Sequence, residues 1–174
     1  MQIDRVDIQV IGPETEHHTW SDDLPGQYQS NTLIRIYTDA GLEGIAGVWN
    51  ATSFGYDRYT AESLRHLVPI LIGRDPCERE SILHDLRPRV FPQPPGALAV
   101  IDIALWDIMG KIQDKPIYQL LGGAMKRIPA YASTPMYADI DTYMTVVGEL
   151  VDQGFQAVKF HTWCIPDRDL ALAR

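Results

Sequence analysis

Residues Gly96 to Gly123 read GALAVIDIALWDIMGKIQDKPIYQLLGG. Leu98, Ile101, Leu105, Ile108 and Ile112 recur at alternating three- and four-residue steps, which lines one face of a helix. Asp107 precedes Lys111 by one turn, in the favourable acid-first order, and Asp102 and Trp106 make a second turn-to-turn pair. The helix is expected to stop near Asp114, because Lys115 precedes Pro116 and is pushed out of the helical region. Pro116 then opens a second short helix, Ile117 to Leu121. Gly122 and Gly123 end it, since glycine accepts the left-handed cap conformation at little cost.

Upstream, Gln2 to Ile11 alternates apolar and polar residues and reads as a strand. Gly12 to Ser30 is rich in Pro, Gly, Asp and His and reads as a long loop of the functional kind. Asn31 to Tyr37 is a second strand, Thr38-Asp39-Ala40-Gly41 a turn, and Glu43 to Trp49 a third strand. Together they predict a three-stranded antiparallel meander. Asn50 to Tyr56 is a second loop. A helix is expected from about Asp57 to Leu67, with Leu64, Leu67 and Val68 inward. Asp75-Pro76-Cys77-Glu78 reads as the next helix start, leading to Leu83, Leu86 and Val90, with Pro88 kinking or ending that helix. The prolines of Phe91 to Pro95 make a rigid connector.

Downstream the pattern changes. Ile128 to Ser133 is a short strand and Asp139 to Gln153 a helix. That helix carries Ile140, Tyr143, Met144, Val147, Leu150 and Val151 on one side, and Gly154 closes it. Ala157 to His161 is another strand, and Pro166 and Asp167 open another helix. Strand, helix, strand, helix is the repeating unit of a parallel α/β barrel. The expected fold is an α+β capping domain over residues 1–127, followed over 128–174 by the first βαβ part of a (β/α) barrel. A complete barrel takes about 200–250 residues. Two parallel strands and one helix cannot close a sheet or bury both its faces. The rest of the barrel is expected to lie outside this sequence, which stops inside a predicted helix. The alternatives are a barrel supplied by another chain, or a cap with a stub.

The 174 residues are 45% hydrophobic and 22% charged, which suits a buried core. A net charge of −8 argues against nucleic acid or an anionic membrane as partner. The amino terminus has no signal-peptide core and no run approaches a membrane span. Cys77 and Cys164 have no metal or redox spacing and read as buried or free thiols. A reduced, cytoplasmic protein is expected.

Side chains alternate along Val158-Lys159-Phe160-His161. Val158 and Phe160 then face the helices, and Lys159 and His161 point into the barrel together. They would lie near the carboxyl end of the strand, where barrel enzymes keep their active sites. A lysine desolvated there can act as a base or clamp a carboxylate. The plain alternative is a lysine reaching back to water beside a histidine hydrogen-bonded in the core.

The string A-x-x-x-I-D-x-A-L-W-D-x-x-G-K, then K-P-x-Y-x-L-L-G-G, then R-I-P-A-Y-A-S, resembles the mandelate racemase and muconate lactonizing enzyme branch of the enolase superfamily. The resemblance is close from Ala97 to Ser133 and looser over the whole chain. It implies an enzyme that abstracts the proton α to a carboxylate. It also implies a Mg²⁺ ion, held by acids on the third to fifth barrel strands, that stabilises the resulting enediolate. Those strands are not in this sequence, so no metal ligand is assigned to it. In this family the second barrel strand commonly carries lysine-x-lysine. Lys159 matches the first lysine, which neutralises the carboxylate, and His161 stands where the second, the base, is expected. Histidine there weighs against a two-base racemase and suits a sugar-acid dehydratase; a racemase, epimerase or cycloisomerase is the alternative. The cap's loops choose the substrate in this family. They hold His17, His18 and Trp20 in the first loop, and Trp49 and Phe54 in the second. Histidine and tryptophan suit a polyhydroxylated acid, whereas two adjacent histidines make a weak zinc signal. Ser133 and Thr134 end the first barrel strand, where a hydroxyl can reach a carboxylate. The expected partners are a small carboxylate, a sugar acid, and further copies of the chain in a homo-oligomer. This chain by itself is expected to be inactive. The reading from another class is a non-catalytic interaction module, with Val158 and Phe160 exposed on a stub as a sticky surface.

Overall fold

Alternation of apolar residues builds the sheet of the amino-terminal part. The computed structural model describes residues 1–12, 17–18, 27–28, 30–50, 54–90, 96–124 and 127–173. Its strands before residue 51 are β1 (Ile3–Ile11), β2 (His17–His18), β3 (Gln27–Tyr28), β4 (Ser30–Thr38) and β5 (Glu43–Asn50). β1, β4 and β5 form an antiparallel sheet in that order, the meander expected. In β4, Thr32, Ile34, Ile36 and Thr38 are buried and the residues between them are not. The register of β1 against β4 slips between Ile3 and Arg5. That extra residue lets Ile3 and Val6, three positions apart in sequence, both reach the core. The loop expected from Gly12 to Ser30 is not structureless, since β2 and β3 within it pair with each other. Pairing satisfies backbone groups that side-chain patterning does not reveal.

The helices that cover the sheet are α1 (Phe54–Leu71), α2 (Arg79–Leu86) and α3 (Gly96–Ile112), with a short α4 (Ile117–Leu120) behind them. α1 is longer at both ends than the sequence pattern predicts. Pro69 lies in its last turn, where one lost hydrogen bond does not stop the helix. The predicted second loop shrinks accordingly, because Asn50 belongs to β5 and Phe54 to α1. α2 starts at Arg79 rather than at Asp75. The Asp75 carboxylate accepts the Cys77 amide at 3.0 Å, and its carbonyl accepts the Glu78 amide at 3.0 Å, so Asp75 caps a turn instead of the helix. α2 ends at Leu86, and Pro88 lies in a 3-10 turn, Arg87–Arg89, that delivers Val90 to the core. Phe91 to Pro95 lie outside the described residues.

α3 is the centre of this core. Its buried residues are Ala97, Val100, Ile101, Ala104, Leu105, Ile108 and Gly110. They cover more of the circumference than the predicted stripe, because α3 packs on the sheet and also on α1 and α2. Two of the predicted stripe residues are corrected: Leu98 is half-buried, and Ile112, at the helix end, is 40% exposed. α3 also closes the free edge of β5. Asp107 accepts the Ile45 amide at 2.9 Å, and Lys111 donates to the Glu43 carbonyl at 2.8 Å and to Asp107 at 2.9 Å. The predicted Asp107–Lys111 pair therefore guards an edge strand against outside pairing. The second predicted pair on this helix works through a residue the pattern misses. Arg79 bonds Asp102 at 2.5 Å and lies over the Trp106 ring, 4.7 Å from its centroid. Arg79→Ala is expected to lower the urea midpoint with an unchanged slope, a loss of about 1–2 kcal/mol.

The chain divides into two compact units, Met1–His17 with Gln27–Met125, and His18–Gly26 with Lys126–Arg174. In the second, β6 (Ala132–Ser133) runs parallel to β7 (Val158–Lys159), with α5 (Ile140–Asp152) between them and α6 (Pro166–Leu172) after. The parallel crossover expected of a barrel start is present. Both strands are shorter than predicted: Ile128 is 82% exposed, and His161 lies beyond the end of β7. A ladder with one partner per strand holds only its centre. Of the predicted α5 face, Tyr143 is fully buried whereas Met144 and Val151 are 63% and 58% exposed. Cys77 and Cys164 are both exposed thiols rather than buried ones. Among the described residues, no helix is long and apolar enough to cross a membrane.

Candidate functional site

The parallel register decides which side chains meet in the second unit. Ala132 faces Val158 and Ser133 faces Lys159 across the ladder. Ala132 is buried and Val158 half-buried, so that face packs inward. Ser133 and Lys159 share the opposite, exposed face at the carboxyl ends of both strands. The ladder continues one step further, where the Thr134 amide donates to the Lys159 carbonyl at 3.0 Å. Thr134 is buried, and its hydroxyl also donates to that carbonyl at 3.4 Å. Its hydroxyl therefore serves the ladder, while that of Ser133 lies on the Lys159 face.

His161 is half-buried, and its Nδ1 bonds the Thr134 carbonyl. A carbonyl only accepts, so Nδ1 carries the hydrogen and Nε2 is the basic nitrogen of the neutral ring. Lys159 is exposed, and the histidine is hydrogen-bonded to the strand beside it.

A set of residues that sequence patterning missed surrounds His161. Tyr143 donates to the His161 carbonyl and accepts the Tyr137 amide at 3.1 Å. Its ring meets Tyr137, Phe160 and Trp163 edge-on, at centroid distances of 4.9, 5.6 and 5.3 Å. The Trp163 indole donates to the Tyr137 carbonyl at 2.8 Å, and its amide donates to Asp169 at 3.1 Å. Arg168 stacks on Trp163, 3.7 Å from its centroid, and donates to the Ala138 carbonyl. The local signals were Tyr143 on the apolar side of a predicted helix and Phe160, read as facing the helices. The tryptophan's partner lies 26 residues earlier, beyond any periodicity.

Asp139 caps α5, accepting the Thr142 amide at 2.7 Å and its hydroxyl at 2.8 Å. These bonds, the amide's first, hold its carboxyl below the usual range, and the charge of Arg168 adds to them. A depressed carboxylate contributes stability above its ordinary pKa and loses it as pH falls through the depressed value. The thermal midpoint is therefore expected to fall on acidification through the carboxylate range by less in Asp139→Asn than in the wild type, as read by calorimetry.

Earlier in the chain, His17 and His18 form β2, Trp49 lies in β5 opposite Asn31, and Phe54 opens α1. Trp49 and Phe54 are thus strand and helix residues rather than loop residues. The side chains of these four, and Trp20 entirely, lie outside the described residues. Among the described residues, no group of three or more His, Cys, Asp or Glu is placed to hold a metal ion.

A family model described as mandelate racemase / muconate lactonizing enzyme, N-terminal domain, matches residues 24–122. RspA of Cellvibrio japonicus, a D-galactonate dehydratase family member, is 36% identical over 132 residues, 72% of this chain and 32% of the relative. A crystal structure from Pseudovibrio sp., assigned to the mandelate racemase/muconate lactonizing enzyme group, matches with a TM-score of 0.88 at 35% identity, covering 99% of this chain and 46% of that one. The D-glucarate dehydratase of Agrobacterium tumefaciens, solved with magnesium, matches with a TM-score of 0.77 at 27% identity over 99% of this chain and 49% of its own. The chain spans about a third of the length of the curated relatives it matches and just under half of these solved structures. The antiparallel sheet with its covering helices and the parallel strand pair after it are the cap and barrel start of that fold. The chain belongs to the mandelate racemase/muconate lactonizing enzyme family of the enolase superfamily.

Proposed function

We propose that this chain supplies the cap and the first barrel strands of an enzyme that removes the proton α to the carboxylate of a sugar acid and then eliminates water. The observation that carries this reading is the pairing of Ser133 with Lys159 on one exposed face, with His161 fixed two residues on. The similarity to sugar-acid dehydratases supports it. In this reading residues 1–127 form the cap and 128–174 begin the barrel. The Lys159 ammonium pairs with the substrate carboxylate, matching the negative charge that grows there as the α-proton leaves. Ser133 donates a hydrogen bond to the same carboxylate. His161 assists the proton transfer at Nε2, the nitrogen left basic by the Thr134 bond. Residues of the cap, His17, His18, Trp20, Trp49 and Phe54, contact the hydroxylated tail and set specificity. Mg²⁺ belongs to the proposal as a cofactor held by acids on later barrel strands, where it would stabilise the enediolate.

The test is α-proton exchange. The enzyme to which this chain contributes its cap and first barrel strands is incubated with Mg²⁺ and sugar acids of the galactonate and glucarate type in D₂O and followed by proton NMR. Loss of the α-proton signal with formation of a 2-keto-3-deoxy acid is expected. Exchange without dehydration would favour a racemase or epimerase. A folded protein that exchanges no substrate's α-proton would sink the reading and favour the interaction module.

A further inference from the structure

We propose that Tyr143 is a positioning residue, whose hydroxyl ties the main chain of His161 to that of Tyr137 and so sets where the 161 imidazole acts. The inference rests on the reading of Lys159 and His161 as reacting groups.

Two segments follow the carboxyl ends of the paired strands: residues 135–139 after β6, and 160–165 after β7. Neither is regular structure, and such segments drift unless their backbone groups are tied. Tyr143 ties both through one oxygen. It donates to the His161 carbonyl in the second segment and accepts the Tyr137 amide of the first. The hydroxyl has one hydrogen to give and lone pairs to receive, so both bonds form at once. The ring is fully buried and held by three edge-on aromatic contacts, so the oxygen is not free to wander. Trp163 and Arg168 repeat the tie a few residues along, bonding the carbonyls of Tyr137 and Ala138 from the second segment and from α6.

His161 is thereby fixed at two points. Its carbonyl is held by Tyr143, and its ring Nδ1 by the Thr134 carbonyl. Both anchors come from the first strand and the helix after it, so the parallel unit is itself the jig for the imidazole. An apolar core would need a side chain of this size, but it would not need the hydroxyl. Phenylalanine at 143 keeps the three ring contacts and removes both bonds.

Tyr143→Phe and Trp163→Phe are made in the protein that carries out the reaction. Two quantities are read: kcat and KM on the sugar acid, and hydrogen exchange at His161 Nδ1 by nitrogen NMR. Tyr143→Phe is expected to lower kcat about tenfold, because small displacements of a reacting group are costly. KM should stay within about twofold, while ring N–H exchange quickens; Trp163→Phe should move both in the same direction by less. Unchanged kcat and exchange in Tyr143→Phe overturn the proposal, as does a lower thermal midpoint with both unaltered, which marks a merely structural hydroxyl. If the wild type turns over no sugar acid, the proposed reaction fails. The ring exchange then decides alone whether Tyr143 positions His161.

Discussion

Gly44→Ala is expected to cost more than about 3 kcal/mol and to leave the cap largely unfolded. A Cβ at position 44 would lie 2.1 Å from the Ala104 carbonyl oxygen and 2.6 Å from Cγ1 of Ile108. The isoleucine can rotate away, but the carbonyl is α3 backbone. The strand or the helix would have to move by more than an ångström. The helix is not free to do so, since Ile101, Leu105 and Ile108 beside this contact are all fully buried. Moving it would also break the Asp107 and Lys111 bonds to the flanking residues Ile45 and Glu43. Overpacking a well-packed core costs about 1–3 kcal/mol where side chains can adjust, and a backbone collision exceeds that range. Domain stabilities run at about 5–15 kcal/mol, so the loss is a large share of the whole. Urea titration followed by circular dichroism measures it. Gly41→Ala is the contrasting control. Nothing lies within 4 Å of a Cβ there, but its φ of +79° is strained for any side chain, so it should cost less, about 1 kcal/mol.

That contact explains what the sequence could and could not reveal. The helix Gly96–Ile112 and its stop were legible, because spacing and the Lys115-Pro116 step act locally. The strand from Asn31 to Tyr37 was legible for the same reason. Gly44 looked like an ordinary strand glycine, and only the approach of α3, sixty residues on, gives it meaning. Asp75 misled because an acid before proline has two outlets, a helix cap or a turn, and the choice depends on where α2 docks. In the site, the alternation of Lys159 with its neighbours was readable. The Thr134 bond to His161, the two hydrogen bonds of the Tyr143 hydroxyl and the stack of Arg168 on Trp163 were not, since each joins residues from different elements. Tyr143 was read only as an apolar face residue. Its hydroxyl gains its role from a partner 18 residues away.

Lys159→Met is expected to lower kcat/KM for the sugar acid by about 10²–10³-fold, with the fold intact. The size follows from the role proposed. Removing a single preorganised donor to the charge that grows in the transition state costs about 10²–10³-fold. What makes the experiment clean is how position 159 is held. The Lys159 side chain is exposed, and its structural work is done by its carbonyl, which receives the Thr134 amide and hydroxyl. Methionine presents the same carbonyl and a similar stem, so the β6–β7 ladder and the thermal midpoint should not change. Lys159→Arg keeps the charge but replaces a compact ammonium with a broader fork. It should recover part of the loss, with KM closer to wild type than kcat. Steady-state kinetics with saturating Mg²⁺ separates these cases. A methionine variant within about threefold of wild type would remove the carboxylate clamp from position 159. The reaction would then have to depend on a cation supplied from elsewhere, and His161 would stand alone on this strand.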